Sequence, residues 1–151
     1  MTILKLAQAN TIITTALAEA RRQKLAPLAV AVLDAGGHLV AYQREDGAGL
    51  VRFDIAYGKA WGSLGMGFGS RELAERAIKS PTFITMLGSV SQGRMVPSPG
   101  GVLILNDQGE VVGAVGVTGD VGDRDEACAL AGIAAAGLRA APGLLPSPGS
   151  A

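Results

Sequence analysis

Residues 97–126, PSPGGVLILNDQGEVVGAVGVTGDVGDRDE, constrain the fold more tightly than any other stretch of the chain. They contain two apolar runs rich in β-branched residues, 102–105 and 111–117, separated by Asn106, Asp107, Gln108 and Gly109. Such runs around a glycine-assisted reversal predict a hairpin. Neither run alternates with polar residues, so both faces of each strand are expected to be covered. Gly113 and Gly116 interrupt the second run, and glycine inside a strand usually marks the close approach of another backbone. Residues 111–117 are therefore expected to form the central strand. The segment that follows leads into an Ala-rich helix predicted over 124–140, whose acidic start suits an N-cap and the helix dipole. Ala127, Ala131, Ala134 and Ala135 give it a small face that is expected to cross the sheet at the two glycines.

The remainder of the chain supplies a second hairpin and its cover. Leu6, Ile13, Leu17 and Ala20 recur at helical spacing, which predicts an amphipathic helix over 2–24 that ends before Pro27. Residues 28–33 form a buried-type strand, 34–37 a turn, and 38–44 the returning strand. A glycine-containing loop over 45–52 precedes a helix over 53–66. Ser70 is read as the cap of a short helix with Glu72 in its first turn, and Pro81 opens another helix running to about Val90. The order predicts an α+β sandwich on a mostly antiparallel sheet, one domain over residues 1–140. Residues 141–151, APGLLPSPGSA, form a Pro/Gly-rich tail without regular structure, expected to lie against a neighbouring subunit.

Composition narrows the function classes. The 151 residues carry 13 basic and 13 acidic side chains and no basic run, so the field that attracts nucleic acid or an anionic membrane is missing. One cysteine excludes an intramolecular disulfide, and with one histidine there is no Cys/His metal cluster. Cys128 sits in the Ala-rich helix, where a buried, inert thiol is expected. Without a signal-type apolar core, the expected location is cytoplasmic.

The segments AVAVLDAGGHLVAYQREDGA (29–48), IAYGKA (55–60), PGGVLI (99–104) and GAVGVTGDVGDRDEACALAG (113–132) resemble the GlcG/HbpS-like family, the haem-degrading domain family also found as the C-terminal domain of PduO. The resemblance runs over roughly residues 16–140. It implies a profilin-like α/β sandwich, homo-oligomeric assembly and, in some members, haem or corrinoid binding. The sequence departs from the family pattern at Leu103, where a proline often follows PGG, and in a glycine-rich central helix with Gly58, Trp61, Gly62 and Gly65.

Each candidate site residue has two readings. His38 is the single imidazole and the strongest nitrogen ligand available to a haem iron or cobalt, or else a solvated turn residue. Arg44 beside Asp46 either holds a small acid's carboxylate or closes an internal clamp on its loop. Lys59 is either a partly buried amine near that loop or a snorkelling side chain. Gly58, Gly62, Gly65 and Gly69 form one smooth stripe, read as a packing surface for a helix or a second subunit, or else as a flat wall for a planar ligand. Pro99, Gly100 and Gly101, with Thr118 and Gly119, either present backbone N–H groups to an anion or simply make tight turns. Asp120, Asp123, Asp125 and Glu126 offer a hard-metal site or a base, or cap the helix.

Two functions follow. The first is a small-ligand binding protein, with haem or a related tetrapyrrole as the family-implied ligand and His38 as its axial residue. The second is a cofactor-independent enzyme for a small carboxylic acid, anchored by Arg44 or Arg94, with an Asp or Lys59 transferring a proton. The ligand site is expected where residues 44–47, 99–101 and 118–125 converge.

Overall fold

The computed structural model describes residues 3–147. Five strands, β1 (Ala29–Asp34), β2 (Leu39–Arg44), β3 (Gly101–Leu105), β4 (Val111–Thr118) and β5 (Arg139–Ala141), form one sheet in the order β2-β1-β4-β3-β5. Every pairing is antiparallel, and β4 is central as its sequence requires. The helices are α1 (Leu6–Arg22), α2 (Arg52–Met66), α3 (Ser70–Lys79), α4 (Pro81–Val90) and α5 (Gly122–Ala135).

Alternation along the strands separates two cores. Val30, Val32, Val102, Ile104, Val115 and Val117 face α1 and α5, whose Ile12, Ile13, Cys128, Ala129 and Ile133 pack against them. On the opposite face Leu33, Leu103, Leu105 and Ala114 meet Ala60 of α2 and its neighbours Tyr57, Trp61 and Leu64. This double cover is the reason β1, β3 and β4 carry continuous apolar runs, whereas the edge strand β2 stays partly exposed. In α1 the buried stripe is Ala9, Ile12, Ile13, Ala16 and Ala20, while Leu6 lies 58% exposed beyond it. Thr2, placed in this helix from the sequence, lies outside the described residues.

Several expectations change. The last helix does not reach Ala140: it ends at Ala135, Gly137 turns the chain at a φ of 73°, and residues 139–141 pair with Leu103, Ile104 and Leu105 as β5. An alanine-rich run favours helix locally, but the open edge of β3 offers ladder hydrogen bonds that a longer helix would leave unmade. Gly116 lies beneath α2 rather than α5. A Cβ there would stand 1.9 Å from the Ala56 carbonyl oxygen. Gly113 instead backs onto the Leu33 carbonyl and Leu4, and α5 makes its own close approach to α1, with Gly132 against the Ile12 carbonyl.

The glycine stripe is covered from within the chain. Gly58 packs under Val96, Gly62 and Gly65 under Met95, and Gly69 against Pro142. The first part of the tail is thereby held in place, with the Gly69 N–H donating to the Gly143 carbonyl at 2.8 Å. Ser70 does not cap α3, where Gly69 takes the N-cap position. Its hydroxyl accepts from the Gly101 N–H at 2.7 Å and donates to the Ser98 carbonyl at 2.5 Å, tying α3 to the start of β3.

Candidate functional site

The strand register brings the expected segments to one end of the sheet. Ala29 stands between Arg44 on one side and Thr118 on the other, and Gly101 is level with Gly116. Arg44 and Thr118 therefore share a row, roughly 10 Å apart across two strand spacings. The N-termini of α2 and α5 open at this same end. Arg52, which the sequence reading passed over as a loop charge, donates from Nη1 to Thr118 Oγ1 at 2.8 Å.

Behind this row lies an ion pair sealed in the interior. Lys59 is 2% exposed and Asp125 is 1% exposed. Lys59 Nζ donates to Asp125 Oδ2 at 3.1 Å and to the Val117 carbonyl at 2.9 Å, and Asp125 Oδ1 accepts from the Asp120 N–H at 3.0 Å. Burial is the largest influence on both groups, pulling the Lys59 pKa down and pushing the Asp125 pKa up, and each partner's charge opposes it. Lys59 neither reaches solvent nor snorkels: it joins α2, the end of β4 and α5. Gly100 closes the same corner, its carbonyl accepting from the Val117 N–H at 2.9 Å, with Pro99 packed beside Gly122.

The acidic residues around the start of α5 tie segments together, and no side chain caps the helix. Asp120 accepts from the Ala26 N–H at 2.9 Å and the Val121 N–H at 2.8 Å, and those backbone donors hold its pKa below the usual carboxylate range. Asp123 and Glu126 both pair with Arg71 of α3. No group of three or more His, Cys, Asp or Glu side chains among the described residues is arranged to hold a metal ion. Burial also pushes the Cys128 thiol up to about 11, with Asp125 as the next cause, so it is neutral and unreactive at neutral pH.

The loop after β2 does contain a clamp, made by different residues from those expected. Arg21 Nε pairs with Glu45 Oε2 at 2.9 Å, and Glu45 Oε1 accepts from the Leu28 N–H at 2.8 Å. The Arg44 and Asp46 side chains have no hydrogen-bond or ion-pair partner among the described residues. They line an open groove of about 450 Å³ whose other wall is Leu17, Arg21 and Pro27.

His38 and Arg94 are placed elsewhere. His38 lies at the far end of β1 and β2 from Arg44, about 20 Å along the strands at their usual rise. Its side chain is 80% exposed, and Asp34 Oδ1 accepts from its backbone N–H at 2.9 Å and approaches its ring Nδ1 at 3.2 Å. The turn passes over the indole of Trp61: a Cβ on Gly37, at a φ of 83°, would be 3.0 Å from Trp61 Nε1. Arg94 stacks on that indole from another direction, its Cζ 4.0 Å from the ring centroid, with Nε donating to the Ser91 carbonyl at 2.7 Å. Ala35, Gly36, Gly37, Trp61, Leu64 and Gly65 line a small open pocket of about 150 Å³. The imidazole lies against Gly36 at its edge, where a Cβ would stand 2.9 Å from His38 Cε1. Trp61 and Asp34 were missed as site residues because nothing in the local sequence relates them to His38 and Arg94.

A family model described as "Haem degrading protein HbpS-like" matches residues 4–134. The chain belongs to the HbpS-like family. An uncharacterized 15.0 kDa protein from the dhaT-dhaS intergenic region of Citrobacter freundii is 34% identical over 100 residues, 66% of this chain and 68% of that protein. The corrinoid adenosyltransferase PduO of Salmonella typhimurium is 30% identical over 82% of this chain, which spans only 36% of PduO. Among solved structures, a PduOC:heme complex superposes with a TM-score of 0.82 at 26% identity, covering 91% of this chain and 98% of that one. HbpS superposes with a TM-score of 0.76 at 30% identity over 89% of this chain and 90% of that one. The α+β sandwich is the fold of this HbpS-like group.

Proposed function

We propose that this HbpS-like protein binds haem or a related tetrapyrrole, with His38 as the axial ligand. The observation that carries the reading is the Asp34, His38, Trp61 and Arg94 arrangement. Asp34 beside Nδ1 favours the tautomer protonated there, which leaves the Nε2 lone pair facing outward as a metal ligand. Trp61 with Gly36 and Gly37 lines the apolar depression beside the turn, and the Arg94 guanidinium stacked on the indole supplies a cation able to pair with a propionate. The haem complex of the PduO C-terminal domain supports the ligand class. The enzyme alternative draws no support from Lys59 or Asp125, which are sealed against each other.

Haemin titration followed by absorption spectroscopy tests this. At stoichiometric haemin a shifted Soret band is expected, lost in His38→Ala and weakened in Arg94→Gln. An identical Soret band in His38→Ala would overturn the assignment. Arg44→Ala, at the opposite end of the sheet, should leave the band unchanged; a loss there would move the ligand to the groove of the unpartnered Arg44.

Self-association belongs to the same proposal. It is supported by exposed Leu50, Val51, Val121, Leu144 and Leu145 rather than by the glycine stripe, which the chain itself covers. A monomeric mass by light scattering at micromolar concentration would remove it. Among the described residues no helix is long and apolar enough to cross a membrane.

A further inference from the structure

We propose that the cleft between α3 and α4 is a binding site for a small amphiphilic monocarboxylate. The two helices are joined by Ser80 alone, because Pro81 cannot continue α3. They splay over a satellite core of Phe68, Leu73 and Ile84 and leave a cavity of about 360 Å³. Its apolar lining is Met66, Phe83 and Ile84, and its polar lining is Glu72, Arg76, Lys79 and Ser80. The volume lies within the range of small-molecule sites and is too small to seat a protein segment of the extent a stable interface needs.

Charge selects the occupant. Arg76 Nε donates to Glu72 Oε1 at 3.1 Å, and its guanidinium lies 4.4 Å from the Phe68 ring centroid, so these two charges neutralise and fix each other. The Lys79 ammonium has no hydrogen-bond or ion-pair partner among the described residues. One cation thus remains with an apolar lining, of which Phe83 is left 58% exposed. A single carboxylate on an unbranched apolar chain complements that pattern, with the head on Lys79 and the chain along Phe83, Ile84 and Met66. Ser80 and the start of α4, which no side chain caps, add donors near the head. The site shares no residue with the tetrapyrrole reading and stands or falls separately from it.

Isothermal titration with hexanoate, octanoate and decanoate tests the proposal. Each added methylene should tighten the Kd by about 4-fold, the ratio that corresponds to roughly 0.8 kcal/mol of transfer free energy. Lys79→Gln should weaken decanoate binding about 10-fold, bring it level with decanol on the wild type, and leave both the melting temperature and the haemin titration unchanged. The absence of saturable heat, a Kd indifferent to chain length, or a Lys79→Gln variant that binds decanoate as well as the wild type would each overturn it. So would finding that Phe83→Glu lowers the mass by light scattering while decanoate fails to bind, since that result assigns the cleft to a second copy of the chain.

Discussion

Lys59→Met is expected to destabilise the protein by about 3 to 5 kcal/mol, a drop in melting temperature on the order of 10 °C for a chain of this size. The variant leaves the Asp125 carboxylate buried with no countercharge, and removing one partner of a buried pair costs far more than the pair contributes. The deficit should depend on pH. Burial already raises the Asp125 pKa, and Lys59 is the largest influence opposing that rise. Without Lys59 the folded pKa moves further above the unfolded value, so the carboxyl takes up a proton on folding. Stability of the variant is then greatest below the unfolded carboxylate pKa and is lost as pH rises through the folded one. Melting curves of the variant and wild type should therefore lie closer together at pH 5 than at pH 8. The double variant Lys59→Met/Asp125→Leu should recover most of the loss, because apolar side chains of similar volume replace a buried pair at little cost. A single variant that melts with the wild type at pH 8 would show that Asp125 is not held ionised.

Gly116→Val should be at least as damaging. Overpacking usually costs about 1 to 3 kcal/mol because side chains yield. Here the first added carbon meets backbone: it would lie 1.9 Å from the Ala56 carbonyl oxygen and 3.1 Å from the Ala60 nitrogen. Neither α2 nor the central strand can move without opening the sheet, so a loss above about 3 kcal/mol is expected in urea denaturation. Gly88→Ala serves as the control, since nothing within 4 Å would meet its Cβ and it sits inside α4. That change should stabilise by about 0.5 to 1 kcal/mol. Equal melting temperatures for the Gly116 variant and wild type would mean that α2 can lift off the sheet.

These two residues also show where sequence reasoning stops. Gly113 and Gly116 are three positions apart in β4 and face opposite sides, so the expectation that α5 meets both could not hold, and local pattern does not say which helix lies on which side. Small residues in α5 suggested one answer, and the sheet assigned Gly116 to α2. Lys59 and Asp125 are 66 positions apart, so their meeting depends on the helices being docked, and no spacing rule reaches that far. The same holds for Arg71 with Glu126 and for Trp61 beneath the His38 turn. The internal clamp expected between Arg44 and Asp46 does not form; the loop is tied instead by Glu45 to Arg21, which comes from α1.

The sequence by itself determined the two hairpins, the central position of β4, the double cover of the sheet and the family, because continuous β-branched runs, turn residues and helical periodicity act over a few neighbours. Only the tertiary structure decided which charges are buried together, that residues 139–141 complete the sheet, and that His38 with Arg94 stands at the opposite end from Arg44 with Thr118. Those outcomes depend on open strand edges, desolvation and helix docking, which set energies between residues far apart in the chain and leave no mark on the local pattern.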